Sequence, residues 1–209
     1  MLEVLLPLPC AGCGGRVVVG VPLCARCAAT LSRAPRVGPP AGIDAWVAPF
    51  AYEGAARELV ARIKYRNVRA VVPWLARCMA DTLTGDEINV AAVGGAAITW
   101  APTTPERRRA RGFDPAELLA RAVARRVRLP AMALLTRLPG PPQTGQPVAV
   151  RRAGPRFMPR RSIPASLIVV DDIATTGATL SAAGLALRAG GAERVVALTA
   201  ARTPRPGSG

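Results

Sequence analysis

Histidine is absent from all 209 residues, which excludes imidazole general-base catalysis, histidine-activated nucleophiles and Cys2His2 metal sites. Lysine is almost absent too: of 28 cationic side chains, only Lys64 is not an arginine. Chemistry in this chain therefore runs on carboxylates, arginine, Lys64, hydroxyls, backbone amides and metal. No apolar run reaches the roughly 20 residues that a membrane helix needs. The closest, Val90 to Ala101, is broken by Gly94 and Gly95. Leu5 to Leu8 follow no basic stretch and are interrupted by Pro7, so they make no signal segment. The expectation is a soluble, cytoplasmic protein.

What is present is a chain that is 50% hydrophobic, long enough for one α/β domain and a small accessory module. Its net charge of +15 is carried almost wholly by arginine. Guanidinium groups grip phosphate in bidentate fashion, so anionic partners such as sugar phosphates, diphosphate or nucleic acid are favoured. An arginine-biased genome and a solvated basic surface account for the same charge equally well.

Four of the five cysteines form two CxxC pairs, Cys10/Cys13 and Cys24/Cys27, ten residues apart. Each pair can turn both sulfurs towards one ion, and two such knuckles complete a tetrahedral thiolate site for structural Zn2+. Disulfides are disfavoured in a reducing compartment, and a redox CxxC needs no second copy. Glycines at 12, 14 and 15 and a hairpin arm over 17–21 make residues 1–34 read as a small zinc ribbon. Residues 35–44, rich in Pro and Gly, read as a linker, 45–202 as the main domain and 203–209 as a disordered tail. Cys78 stands alone in an apolar helical stretch, where packing is its expected role.

Along the main domain, 45–52 fits a strand, 55–65 and 71–83 fit helices, and 90–100 fits a buried strand. Arg107, Arg108, Arg109 and Arg111 follow a Pro-Thr-Thr-Pro loop. Asp114 is a natural N-cap, with Pro115 opening the next helix. The polar, Pro- and Arg-rich stretch 138–164 reads as a mobile lid containing at most a short strand pair. Strand 167–170, helix 178–189 ended by Gly190-Gly191, and strand 195–199 then complete an alternation that predicts an α/β fold, a mostly parallel sheet flanked by helices.

The chemistry concentrates after Leu167-Ile168-Val169-Val170, a continuously apolar run expected to end at Asp171-Asp172. Ligands of open α/β sheets bind at the carboxyl ends of strands, where paired carboxylates can hold ribose hydroxyls and position hydrated Mg2+. Ala174-Thr175-Thr176-Gly177-Ala178-Thr179 then offers small side chains, hydroxyls and backbone amides at a helix N-terminus, a cradle for a monophosphate. Paired carboxylates alone often cap helices or sit in water; the flanking strand and loop make the pattern specific.

Val169 to Thr179 resembles the phosphoribosyl pyrophosphate signature of type I phosphoribosyltransferases, and with the cysteine module in front the chain resembles the ComF family. The resemblance extends to Tyr52-Glu53-Gly54, Ile63-Lys64-Tyr65-Arg66, Arg109 to Phe113, Ala116 to Leu119, Pro142-Gln143 and Arg151-Arg152. It implies a type I phosphoribosyltransferase-like domain behind a zinc ribbon, with Asp171 and Asp172 on ribose and Mg2+, the 174–179 loop on the 5-phosphate, and Arg107, Arg109 and Arg111 on diphosphate. It further implies transfer of a phosphoribosyl group from phosphoribosyl pyrophosphate to an unknown acceptor. The family's association with competence implies a second expectation, a non-catalytic factor for DNA uptake that binds single-stranded DNA or competence machinery. Thr175 stands where purine-type relatives carry a carboxylate, which disfavours a purine acceptor.

Overall fold

In a computed structural model, residues 9–17, 22–66, 69–83, 95–139, 154–160 and 162–203 are described. Their elements run α1 (Ala25–Ala28), β1 (Ala45–Val47), β2 (Phe50–Ala51), α2 (Gly54–Arg66), a 3-10 turn (Arg69–Val71), α3 (Val72–Ala80) and β3 (Ala97–Trp100). The chain continues through α4 (Pro105–Arg111), α5 (Pro115–Val127), β4 (Leu135–Arg137), β5 (Phe157–Pro159), β6 (Ser166–Ala174), α6 (Ala178–Ala189) and β7 (Arg194–Arg202).

Four successive apolar residues leave no face of β6 fit for water, and Leu167 to Val170 are all at most 2% exposed. β6 accordingly lies inside a parallel sheet ordered β1, β7, β6, β3, with β2 pairing β7 beyond β1. Helices α2, α3 and α5 share a buried cluster with one face of the sheet, and α6 with the β4 region covers the other. The predicted α/β class is thus observed.

Element bounds differ from the sequence reading in instructive places. The strand expected over 45–52 is split into β1 and β2, because Pro49 has no N–H to continue a ladder. The strand expected to stop at Val170 continues to Ala174, and β7 runs to Arg202 rather than Thr199. The small residues Ala200 and Ala201 let β7 carry the pairing on, with Asp171 opposite Thr199 and Ala174 opposite Arg202. β3, by contrast, pairs only as far as Val170, so the acid pair lies within a strand whose β3 side has opened. The expected lid is described only at its two flanks, where β4 and β5 form an antiparallel pair; its middle, the hairpin arm 18–21, residues 90–94 and the tail from 204 fall outside the described residues.

The cysteine module is joined to the main core. Cys10, Ala11, Val17 and Leu23 belong to the same buried cluster as α2 and α3. Thr30 Oγ1 accepts the N–H of Ala55 at 3.0 Å, capping the start of α2, and Arg62 Nη2 donates to the carbonyl of Gly12 at 2.9 Å. The linker is also seated: a Cβ on Gly184 of α6 would lie 2.6 Å from the carbonyl oxygen of Gly42, so two glycines allow this close crossing. Among the described residues no helix is long and apolar enough to cross a membrane.

Candidate functional site

At the carboxyl ends of β3 and β6 lies a cavity of roughly 490 Å³, lined chiefly by polar groups. Asp171 and Asp172 form its acidic floor, and Thr103, Asp114, Arg107, Arg111, Arg137, Lys64 and Thr179 stand around it. A space of this size suits a sugar phosphate or nucleotide-sized ligand.

The acid pair is held by several elements. Strand alternation turns Asp172 towards α2, where Lys64 Nζ lies 2.9 Å from its Oδ1. The N–H of Asp172 donates to Asp171 Oδ1 at 2.8 Å. Asp171 keeps some exposure, but only into this concave space; enclosure by protein and the charge of Asp172 push its carboxyl well above the usual carboxylate range, against the opposing pull of that N–H and of Lys64. Two adjacent carboxylates that share one ammonium favour further positive charge. Hard oxygen donors of this kind suit a hydrated Mg2+ ion.

Asp114 does two things at once. It caps α5 by accepting the N–H of Ala116 at 3.0 Å, and its other oxygen accepts the N–H of Thr103 at 2.8 Å, tying the 101–104 loop to the helix start. Burial raises its carboxyl above the ordinary value in spite of these donors, and the charge of Asp172 adds to the rise. Arg137 on β4 donates to the Pro102 carbonyl at 3.3 Å and lies over the Phe157 ring, with its pKa lowered by burial first and by Arg107 second.

The arginine run, expected beside a loop, is helical. Thr104 caps α4 by accepting from Arg107 N, Pro105 opens it, and Gly112 ends it with φ at 73°. One helix cannot aim every residue the same way: Arg107 and Arg111 line the cavity, whereas Arg109 points away and pairs with Glu106 at 3.5 Å. In the expected phosphate loop, Gly177 adopts φ of 78° and caps α6, Thr175 and Thr176 are exposed, and Thr176 Oγ1 accepts the N–H of Ala178 at 3.3 Å. Only Thr179 of this loop is part of the cavity lining, and Ala174 is buried, its carbonyl accepting from Thr203 N and Oγ1.

The sequence reading did not single out Lys64, Asp114 or Arg137 as site residues. A signal existed for Lys64, the sole lysine of the chain. Asp114 was legible only as a cap, and nothing local marks Arg137.

The second site is the cysteine cluster. The sulfurs of Cys10, Cys13, Cys24 and Cys27 all lie within 4.8 Å of one another, with Cys13 and Cys24 at 3.7 Å. A tetrahedron of bonds near 2.3 Å requires sulfurs about 3.8 Å apart, so the four can bind a structural metal ion. Cys10 is fully buried, which raises its thiol, but N–H donors from Cys13, Cys24 and Gly12 outweigh this and bring it down to about 6. Burial and the neighbouring sulfurs push Cys27 up to about 12. A Cβ on Gly12 would meet Cys27 Sγ at 2.8 Å, so the knuckle closes only around glycine. Cys78 is half-buried on α3, and burial raises its thiol.

The chain matches no protein-family model and none of the curated proteins.

Proposed function

We propose that this protein is a ComF-type phosphoribosyltransferase that binds phosphoribosyl pyrophosphate with Mg2+ and transfers the phosphoribosyl group to a nitrogenous acceptor. The observation that carries the reading is the single cavity shared by the acid pair, Arg107, Arg111 and Thr179. Residues from two stretches of sequence, Arg107 and Arg111 from one and Asp171, Asp172 and Thr179 from the other, line this one space, which supports a donor that carries a phosphate at each end.

In this reading Asp171 and Asp172 accept hydrogen bonds from the ribose hydroxyls. The amides and hydroxyls over 175–179, at the start of the 12-residue helix α6, hold the 5-phosphate. Arg107 and Arg111 take the diphosphate, and Arg137 lends charge from β4. Transfer breaks the bond between ribose C1 and the diphosphate oxygen, which leaves with the electron pair, and forms a bond from C1 to the acceptor nitrogen. The intervening state resembles an oxocarbenium ion, so fixed charge around the leaving group, rather than a protein nucleophile, lowers the barrier. Mg2+, when bound, adds positive charge at the diphosphate. The metal of the cysteine cluster is read as zinc in a structural role, because four protein ligands leave no open position.

Phosphorus-31 NMR of the donor tests this. With Mg2+ and wild-type protein, both the monophosphate and the diphosphate resonances should shift or broaden, and Asp171→Asn/Asp172→Asn should abolish the effect. Unchanged spectra with folded, zinc-loaded wild type would sink the reading. The competing role in DNA handling rests on the +15 charge and predicts something different. Single-stranded DNA would then bind with a steep salt dependence that survives the same double substitution.

A further inference from the structure

Lys64 is the one ammonium among 28 cationic side chains, and the fold places it against the acid pair. It stands in the last turn of α2, and its side chain is 19% accessible against 12% for Asp172. The other charged groups around the cavity are Asp171, Asp114, Arg107, Arg111 and Arg137. A guanidinium facing Asp172 would form a planar, two-bond fork and occupy both carboxylate oxygens. An ammonium makes one point contact from a flexible stem, hydrates readily and lets go. Lys64 is paired with Oδ1, and among the described side chains no other cation forms an ion pair with Asp172.

We propose that Lys64 is an exchangeable counter-ion of the acid pair: it neutralises Asp172 until a divalent cation takes that place, then turns to the diphosphate of the donor. This rests on the donor-binding reading above and adds a residue to it. The exchange conserves charge locally, since the ammonium leaves one anion for another as the metal arrives. It also accounts for a lysine at this place in a chain that otherwise uses arginine throughout. An arginine would compete with the metal instead of yielding to it.

Two probes, titrated separately by calorimetry into the full zinc-loaded chain, test the exchange: Mg2+ alone and inorganic diphosphate without metal. Lys64→Gln should bind Mg2+ several-fold more tightly and metal-free diphosphate about tenfold more weakly, because Asp172 then faces the anion without its counter-ion. Lys64→Arg should retain diphosphate binding and weaken Mg2+. Asp172→Asn, which frees the ammonium, should strengthen diphosphate binding and weaken Mg2+. A purely structural lysine would move both affinities of Lys64→Gln together or neither, and that result would overturn the proposal.

The wild-type chain supplies a check that needs no variant. Because Lys64 is the only lysine, acylation of its amine can be followed by peptide mass spectrometry, separately from the amino terminus. Mg2+ alone should speed its modification, and diphosphate should then slow it. Modification that Mg2+ leaves unchanged or retards contradicts the exchange. If wild type binds neither probe, the donor-binding reading itself fails and takes the exchange with it; if it binds both and Lys64 stays indifferent, only the exchange fails.

Discussion

Asp114 shows how one side chain joins structure to site. It is 3% exposed, caps α5, fastens the loop after β3 and faces the acid pair. Because its folded pKa lies above the ordinary value, the fold favours the neutral form. The group's stabilising effect is therefore fully present below about pH 4 and is lost as pH rises through the folded value. Asn cannot titrate, so the stability of wild type relative to Asp114→Asn should fall between pH 4 and 7, read by urea unfolding at both. A difference that grows with pH would contradict the assignment. Gly177 makes a second point at this scale. With φ at 78° and Pro40 3.3 Å from where a Cβ would sit, Gly177→Ala should cost about 1–2 kcal/mol, seen as a lower melting temperature.

At the level of elements, α2 is the strut between the two sites. Thr30, three residues beyond Cys27, caps its start; Arg62 reaches the carbonyl between Cys10 and Cys13; and Lys64, half a turn further, reaches Asp172. Thr30→Ala should destabilise the protein by about 1 kcal/mol in chemical unfolding, the usual effect of losing a cap. Loading the cysteine cluster with Zn2+ and then chelating the ion should raise hydrogen exchange in α2 while leaving α6 amides, on the opposite face of the sheet, protected. Equal changes in both helices would show that the metal acts globally and not through α2.

Much of this element plan was legible in the sequence, because β6, α6 and the capped start of α5 are set by local signals: an unbroken apolar run, a glycine stop, and Asp followed by Pro. The two cysteine knuckles were legible from spacing alone. The end of β6 was not, since the acid pair remains in the strand because β7 goes on pairing with it, from Thr199 opposite Asp171 to Arg202 opposite Ala174. Nor was the helix that turns Arg109 away from Arg107 and Arg111, or the meeting of Lys64, Asp114 and Arg137. Those depend on where distant elements pack, and sequence spacing carries no trace of it.

Across the whole molecule, the excess of arginine is sorted by the fold. Arg108 and Arg121 both pair with Glu117, Arg109 with Glu106 and Arg126 with Asp81, largely at the surface, whereas Arg107, Arg111 and Arg137 line the cavity. Surface pairs of this kind contribute little to stability, and the proposed donor site rests instead on the cationic groups that line the cavity with Asp171 and Asp172. The central claim is that this gathering forms a donor site. Calorimetric titration of phosphoribosyl pyrophosphate with Mg2+ into wild type and Asp171→Asn/Asp172→Asn tests it most directly. The account predicts one saturable site per chain in wild type and none in the double variant; no heat from folded, zinc-loaded wild type, or equal binding by both proteins, would contradict it.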